Sequence, residues 1–319
     1  MTPVRPDFAP KREEKGRKGK GALRIGIDVG GTKIEAIGLD ERGEALARLR
    51  LPTPRGDYAA TLEAIVGLVR DLEAAAGRRG SVGIGIPGAI STATNLVKNA
   101  NSIWLNSRPL AADLGELLGR PLRFANDANC FALSEAIDGA AAGASVVFGV
   151  ILGTGTGGGI VVDGRVLTGR NAIAGEWGHN PLPWPRENEA PGPPCYCGRS
   201  GCIETFLSGP GLSADHERVT GQKRAPEEIV AAAAKGDERA EATLSRHEER
   251  LARSLASVIN ILDPDVIVLG GGLSNLTRLY ANAPHLWGKF VFSDRVDTRL
   301  APPKHGDSSG VRGAALLWE

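Results

Sequence analysis

His179, Cys195, Cys197 and Cys202 fall within a window of 24 residues, and three of the chain's four cysteines are in it. One histidine and three thiols have the composition of a closed tetrahedral zinc site, whose four protein ligands leave no open position for a reacting water. The thiols are too close in sequence, and too few, for a disulfide framework. C-x-C also lacks the C-x-x-C spacing of a redox motif. Cys130, the fourth cysteine, sits in an apolar helical stretch and reads as a small buried hydrophobe.

A second chemistry is suggested by glycine. Gly30, Gly31, Thr32 and Lys33 follow Asp28 by two residues, and Gly153, Thr154, Gly155, Thr156 and Gly157 form a similar stretch in the second half. Glycine lets main-chain N–H groups approach an anion and adopt positive φ, and threonine hydroxyls add donors. Each stretch alone fits an ordinary tight hairpin. Two facing tips could hold a polyphosphate between them, with Asp28 available to a magnesium ion or its waters. Neither the Walker P-loop nor the G-x-G-x-x-G spacing is present. Gly270, Gly271 and Gly272 end a continuous apolar strand, where α/β folds place ligands; an adenosine could pack there.

The elements that must position these groups alternate strand and helix. Residues 23–52 read as three strands around the first tip, and residues 145–169 repeat that plan around the second. Residues 58–77 read as an amphipathic helix, 81–90 as a strand ending in Pro87-Gly88, and 122–143 as a strand, an Asn126-Asp127 tip and a helix. Residues 225–262 supply one or two long helices whose charged residues read as a solvated face. The last apolar stretch, 308–318, reads as a short helix that packs back on the first half. We expect an α/β protein of two halves, 23–135 and 136–319, the second carrying the loop 179–202.

Composition excludes several classes. The 319 residues are 42% hydrophobic and 24% charged with a net charge of +1, which gives a full core and no overall field to steer nucleic acid or an anionic membrane. Residues 1–22 carry seven Lys/Arg against three Asp/Glu and lack the apolar core of a secretory signal, so they read as a disordered basic tail.

The stretches DVGGTK, NDANC, GTGTGGG, AGEWGH, CYCGRSGCIE and VLGGG, in this order over residues 23–319, resemble the motif series of the ROK family of sugar kinases and repressors. GIPGAIS, VKNANSIWLN and KHGDSSGVRGAA are similar to its bacterial fructokinase and manno(fructo)kinase branch. The resemblance implies a two-domain actin-like, ribonuclease H-like ATPase fold with a small zinc-binding loop. It also implies a cytoplasmic homodimer that uses ATP and Mg²⁺, with structural Zn²⁺; the charge balance and the lack of a long apolar run make neither nucleic acid nor membrane an expected partner. Family repressors carry a helix-turn-helix module ahead of the kinase-like region, and the polar residues before the first strand leave no room for one.

The same resemblance assigns roles. Asn126-Asp127, which alone reads as a turn or helix N-cap, becomes the pair that binds the sugar, with Asp127 as catalytic base. Glu176, His179 and Glu204 match family positions that contact sugar hydroxyls, and Asn101 is a further candidate for that pocket. His179 would give one ring nitrogen to the metal and aim the other at the sugar, with the metal fixing its tautomer. The expected reaction is phosphorylation of D-fructose, with mannose as an additional substrate, at the 6-hydroxyl; the alternatives are glucose, an N-acetylhexosamine, or a sugar sensor without turnover.

Overall fold

Alternating or continuous runs of Ile, Val and Leu bounded by glycine and aspartate turns generate two five-stranded sheets. The computed structural model describes residues 21–318, so the basic tail expected at 1–22 lies, except for its last two residues, outside the described residues.

The first sheet comprises β1 (Arg24–Val29), β2 (Lys33–Leu39), β3 (Ala45–Pro52), β4 (Ser81–Ile86) and β7 (Arg123–Asn126) in the order β3-β2-β1-β4-β7. Helices α1 (Tyr58–Ala76) and α2 (Leu110–Leu118) connect its parallel strands, and the small hairpin β5 (Ala89–Ile90) and β6 (Val97–Lys98) projects between β4 and α2. The second sheet repeats the arrangement with β8 (Val146–Leu152), β9 (Thr156–Val162), β10 (Arg165–Val166), β11 (Val266–Gly270) and β12 (Arg299–Ala301), ordered β10-β9-β8-β11-β12. In each sheet the first three strands in sequence are antiparallel and the rest join in parallel, so the two glycine tips are the β1–β2 and β8–β9 turns.

Between β10 and β11 lie α4 (Glu204–Leu207), α5 (Gly209–Thr220), α6 (Pro226–Ala234) and α7 (Glu238–Leu262); α8 (Arg278–Trp287) follows β11. The helical sequence at 225–262 is thus two helices, broken at Lys235-Gly236, where Gly236 takes φ +89°. The reading of α7 as a charged solvated face is corrected in its second half. Glu248, Arg250 and Arg253 are buried: Glu189 in the loop before α4 and Asp215 on α5 pair with the two arginines, and Arg278 on α8 pairs with Glu248. Arg253 donates to both oxygens of Glu189, at 2.9 and 2.8 Å, and to the carbonyl of Trp184.

Two helices tie the sheets together. Helix α3 (Asp127–Ile137) leaves β7 of the first sheet and packs on β8 and β9 of the second, whereas α9 (Ser309–Leu316), at the chain's other end, packs on β1 and β4 of the first. Each contact needs bare backbone. A Cβ on Gly26 or Gly83 would overlap carbonyls of α9, and one on Gly159 would overlap the Ala128 carbonyl of α3. Where α3 and α9 cross, a Cβ on Gly313 would coincide with the Cys130 carbonyl. Phe131, Leu133, Val147, Val268, Val311 and Leu316 form a core shared by both sheets. At the far end of α3, buried Glu135 accepts hydrogen bonds from Ala140 N, Lys304 N and Ser309 Oγ and so fixes the start of α9.

The crossing predicts a severe effect of one methyl group. Gly313→Ala should destabilise the fold by about 3 kcal/mol, because both colliding groups are backbone and neither can change rotamer. Thermal unfolding followed by circular dichroism checks this, with Gly67→Ala, which meets open space inside α1, as the control that should instead stabilise by about 0.5–1 kcal/mol.

Candidate active site

Asn126 ends β7 and Asp127 begins α3, so their side chains sit where a parallel strand gives way to a helix N-terminus. Asn126 is the N-cap: its Oδ1 accepts from Ala128 N at 2.9 Å, and its Nδ2 donates to Gly88 O at 3.3 Å. Asp127 Oδ1 accepts from the same Ala128 N at 2.8 Å. The capping function and a place in the cleft therefore belong to the same pair.

The GEWGH turn is docked on β9. Trp177 is buried edge-on against Phe148, donates from Nε1 to Gly157 O at 2.9 Å, and thereby sets Glu176 and His179 on either side of it. Residues 180–182 then run antiparallel to 201–203, with Leu182 N donating to Gly201 O and Ile203 N to Asn180 O. This pairing brings His179 to Cys202. A tight turn in which Gly198, at φ +87°, donates to Cys195 O brings the remaining thiols round.

The donor atoms of His179, Cys195, Cys197 and Cys202 all lie within 4.8 Å of one another. Cys195 Sγ is 3.6 Å from His179 Nδ1, and Cys197 Sγ is 3.6 Å from Cys202 Sγ. Tetrahedral zinc with ordinary bond lengths would separate sulfur from nitrogen by about 3.6 Å and sulfur from sulfur by about 3.8 Å, so the four residues fit such an ion. With Nδ1 turned to the thiols, His179 Nε2 faces away and meets the hydroxyl of Tyr196 at 3.0 Å.

These elements enclose a cleft of about 250 Å³. Asn101, Asn126, Asp127, Glu176, His179 and Glu204 line it, together with the second tip from Gly153 to Gly158. All six polar positions expected to hold a sugar are thus brought together. Three further features of the wall, Tyr196, Asn99 and the Pro87-Gly88 turn, were not expected from sequence. Tyr196 had a signal, an aromatic ring between two candidate metal ligands; Asn99 had none. Glu204 has a second engagement: its Oε2 accepts from Thr156 N at 2.9 Å, and a Cβ on Gly155 would lie 2.7 Å from that oxygen.

A larger cavity of about 780 Å³ shares Gly153 and Thr154 with the first. Its walls come from the start of α5, the Lys223–Glu228 stretch and Gly272-Leu273. The third glycine cluster therefore divides. Gly272 faces this cavity, but Gly270 is bare because a Cβ would strike the Phe131 ring, and Gly271, at φ +79°, because Leu152 backbone lies against it. Nor do Gly30, Gly31, Thr32 and Lys33 line either cavity. The tip closes on itself through Gly30 N to Lys33 O, and a Cβ on Gly31 would lie 3.7 Å from Ser102 Oγ, next to Asn101.

The electrostatics are those of crowded, recessed carboxylates. Burial pushes Asp127 up to about 6, with the nearby charge of Glu176 adding to it against the Ala128 N–H. Burial pushes Asp28 to about 7, reinforced by Asp127 and Glu35 and opposed by Lys33. Glu176 is likewise raised, mainly by burial, with Glu204 adding to it and His179 and Lys98 opposing. A divalent cation beside Asp28 would relieve the repulsion that raises it.

Comparison with known proteins agrees with this geometry. A model of the ROK family matches residues 24–319. The N-acetyl-D-glucosamine kinase of Vibrio cholerae is 44% identical over 92% of this chain and 99% of its own length. Among solved structures, a ROK hexokinase from Thermus thermophilus is 31% identical with a TM-score of 0.82, covering 92% of this chain and 97% of that one. A ROK family glucokinase from Streptomyces griseus, solved with glucose and AMPPNP, is 28% identical with a TM-score of 0.76 over 93% of this chain.

The metal fit predicts one zinc per chain by elemental analysis of protein purified without chelator. Cys202→Ser should lose it, because Cys202 is one of the four converging donors; unchanged zinc content would reject the site.

Proposed function

The chain belongs to the ROK family and is a sugar kinase of the two-sheet actin-like fold, and we propose that it transfers the γ-phosphoryl group of ATP to the 6-hydroxyl of a hexose, N-acetyl-D-glucosamine first. The observation that supports the reaction is the meeting of two cavities at Gly153-Thr154, with Asp127 on the smaller side. The smaller has the residues to hold a hexose, and the larger the volume for a nucleoside.

In this reading Asn101, Asn126, Glu176, His179 and Glu204 orient the sugar by its hydroxyls, carboxylates accepting and amides doing either. Asp127 takes the hydroxyl proton as the oxygen bonds to phosphorus and the bond to ADP breaks. The Gly153–Gly157 tip offers backbone N–H groups to the phosphates, and Gly272 leaves room for the nucleoside. Asp28 is the residue that would hold the Mg²⁺ accompanying ATP, which supplies charge neutralisation to the phosphates. Gly30–Lys33 would join the phosphate side on closure of the cleft. Zinc would act as a structural ion, keeping His179 in one tautomer and orientation. A cytoplasmic homodimer completes the proposal, and sedimentation checks the oligomeric state. Among the described residues no helix is long and apolar enough to cross a membrane.

The choice of sugar rests on the relatives' names, which favour N-acetyl-D-glucosamine over the D-fructose expected from sequence. D-fructose, with mannose, stays as a second reading because GIPGAIS, VKNANSIWLN and KHGDSSGVRGAA resemble the fructokinase branch. A coupled ADP-release assay with N-acetyl-D-glucosamine, D-glucose, D-mannose and D-fructose decides. The highest kcat/KM is expected with the first; a maximum at D-fructose would select the second reading, and turnover of none would overturn the proposal.

Asp127 can accept a proton only when ionised. kcat/KM should therefore fall with its ionised fraction below about pH 6 and level off above it. Asp127→Asn should lower kcat by ~10²-fold or more while leaving zinc content and sugar affinity nearly intact. A near-normal kcat would remove Asp127 from the role of base.

A further inference from the structure

A third cavity, of about 280 Å³, has Asn126 as the one residue it shares with the sugar cleft. Its polar wall is made of Ser91, Thr92, Asn95, Asn126, Asn129 and Thr168, and among the described residues no acidic or basic side chain lines it. Ile90 and Phe124 supply an apolar floor. Asn129 is only 8% exposed, and its Oδ1 is buried without a hydrogen-bond partner. A buried acceptor with no partner is the exception in folded proteins and calls for one. Asn129 lies one helical turn beyond Asn126 on α3, so neighbouring positions of one helix face look into both cavities.

The walls come from both sides of the cleft. Ser91, Thr92 and Asn95 belong to the β5–β6 hairpin, and Thr168 and Ala172 to the segment after β10. At the base of the hairpin, Lys98 Nζ donates to Asn171 O at 2.7 Å, joining that hairpin to that segment.

We infer that this cavity is a second subsite for an uncharged, polyhydroxylated ligand of hexose size. The lining excludes its chemical competitors. With no cationic side chain, a phosphorylated sugar or a nucleotide would lose its hydration for nothing in return, and with no carboxylate a metal ion would do the same. Hydroxyls and amides both donate and accept, as sugar hydroxyls do, while Phe124 and Ile90 match the C–H face of a pyranose. The volume is close to that of the sugar cleft, 280 against 250 Å³. A ligand held there bridges the β5–β6 hairpin and the segment after β10, and contacts Asn126, which also lines the sugar cleft.

Equilibrium dialysis of the full chain with labelled D-glucose and with labelled N-acetyl-D-glucosamine, in the absence of nucleotide, tests the subsite without reference to turnover. Two equivalents are expected for the wild type, the sugar-cleft equivalent being the one lost in Glu176→Ala. Asn129→Leu and Thr168→Trp should each remove one equivalent that Glu176→Ala leaves in place; Thr168 is exposed, so its replacement does not disturb the core. No uptake of either probe, or uptake that both substitutions leave unchanged, overturns the proposal. Failure of the hexose kinase reading alone would show as a missing Glu176-dependent equivalent with the Thr168-dependent one retained.

Discussion

Everything about the cleft depends on two helices crossing where the backbone of one lies directly against the backbone of the other. Helix α3 and helix α9 meet backbone to backbone at Gly313 and Cys130, and each then lies on the sheet from which the other comes. Close helix contact of this kind gives dispersion over many atom pairs and leaves no rotamer by which the packing could relax. Asp127 is the first residue of α3. Its position relative to the second glycine tip is therefore set by the crossing, with Ala128 a van der Waals contact from where a Cβ on Gly157 would be. Glu135 holds the other end of the same helix against the start of α9.

The loop from Asn180 to Ile203 is secured differently. Its two ends pair with each other beside the cysteines, and its middle is held by Glu189 between Arg250 and Arg253. Burying one carboxylate against two guanidinium groups is favourable only when the hydrogen bonds are well made, and Arg253 uses both oxygens of Glu189 as well as the Trp184 carbonyl.

Much of this was legible because it is periodic or glycine-marked. The two hairpins, the continuous β11 strand and the Asn126-Asp127 junction follow from apolar period and turn residues. The six polar cleft positions were legible only through the resemblance of their motifs, since a lone glutamate on a loop such as Glu176 ordinarily reads as solvated. What failed to show in sequence was the partner. Arg250 and Arg253 look like surface residues until Glu189, about 60 positions away, is placed against them. Glycine was ambiguous for a similar reason: Gly270, Gly271 and Gly272 are identical in sequence, yet two are bare for packing and one for a cavity. Tyr196 and Asn99 carry no periodic mark at all.

Glu204 has two carboxylate oxygens, and the fold has already engaged one of them with the Thr156 N–H. Its side chain thus stands in one orientation before any ligand arrives. Freezing a rotamer-rich side chain on binding costs roughly 0.5–1.5 kcal/mol, and here that entropy is lost in folding instead. A neutral ligand with hydroxyl groups meets an acceptor that is already aimed, and the backbone donor that aims it belongs to the same turn that leads into the larger cavity.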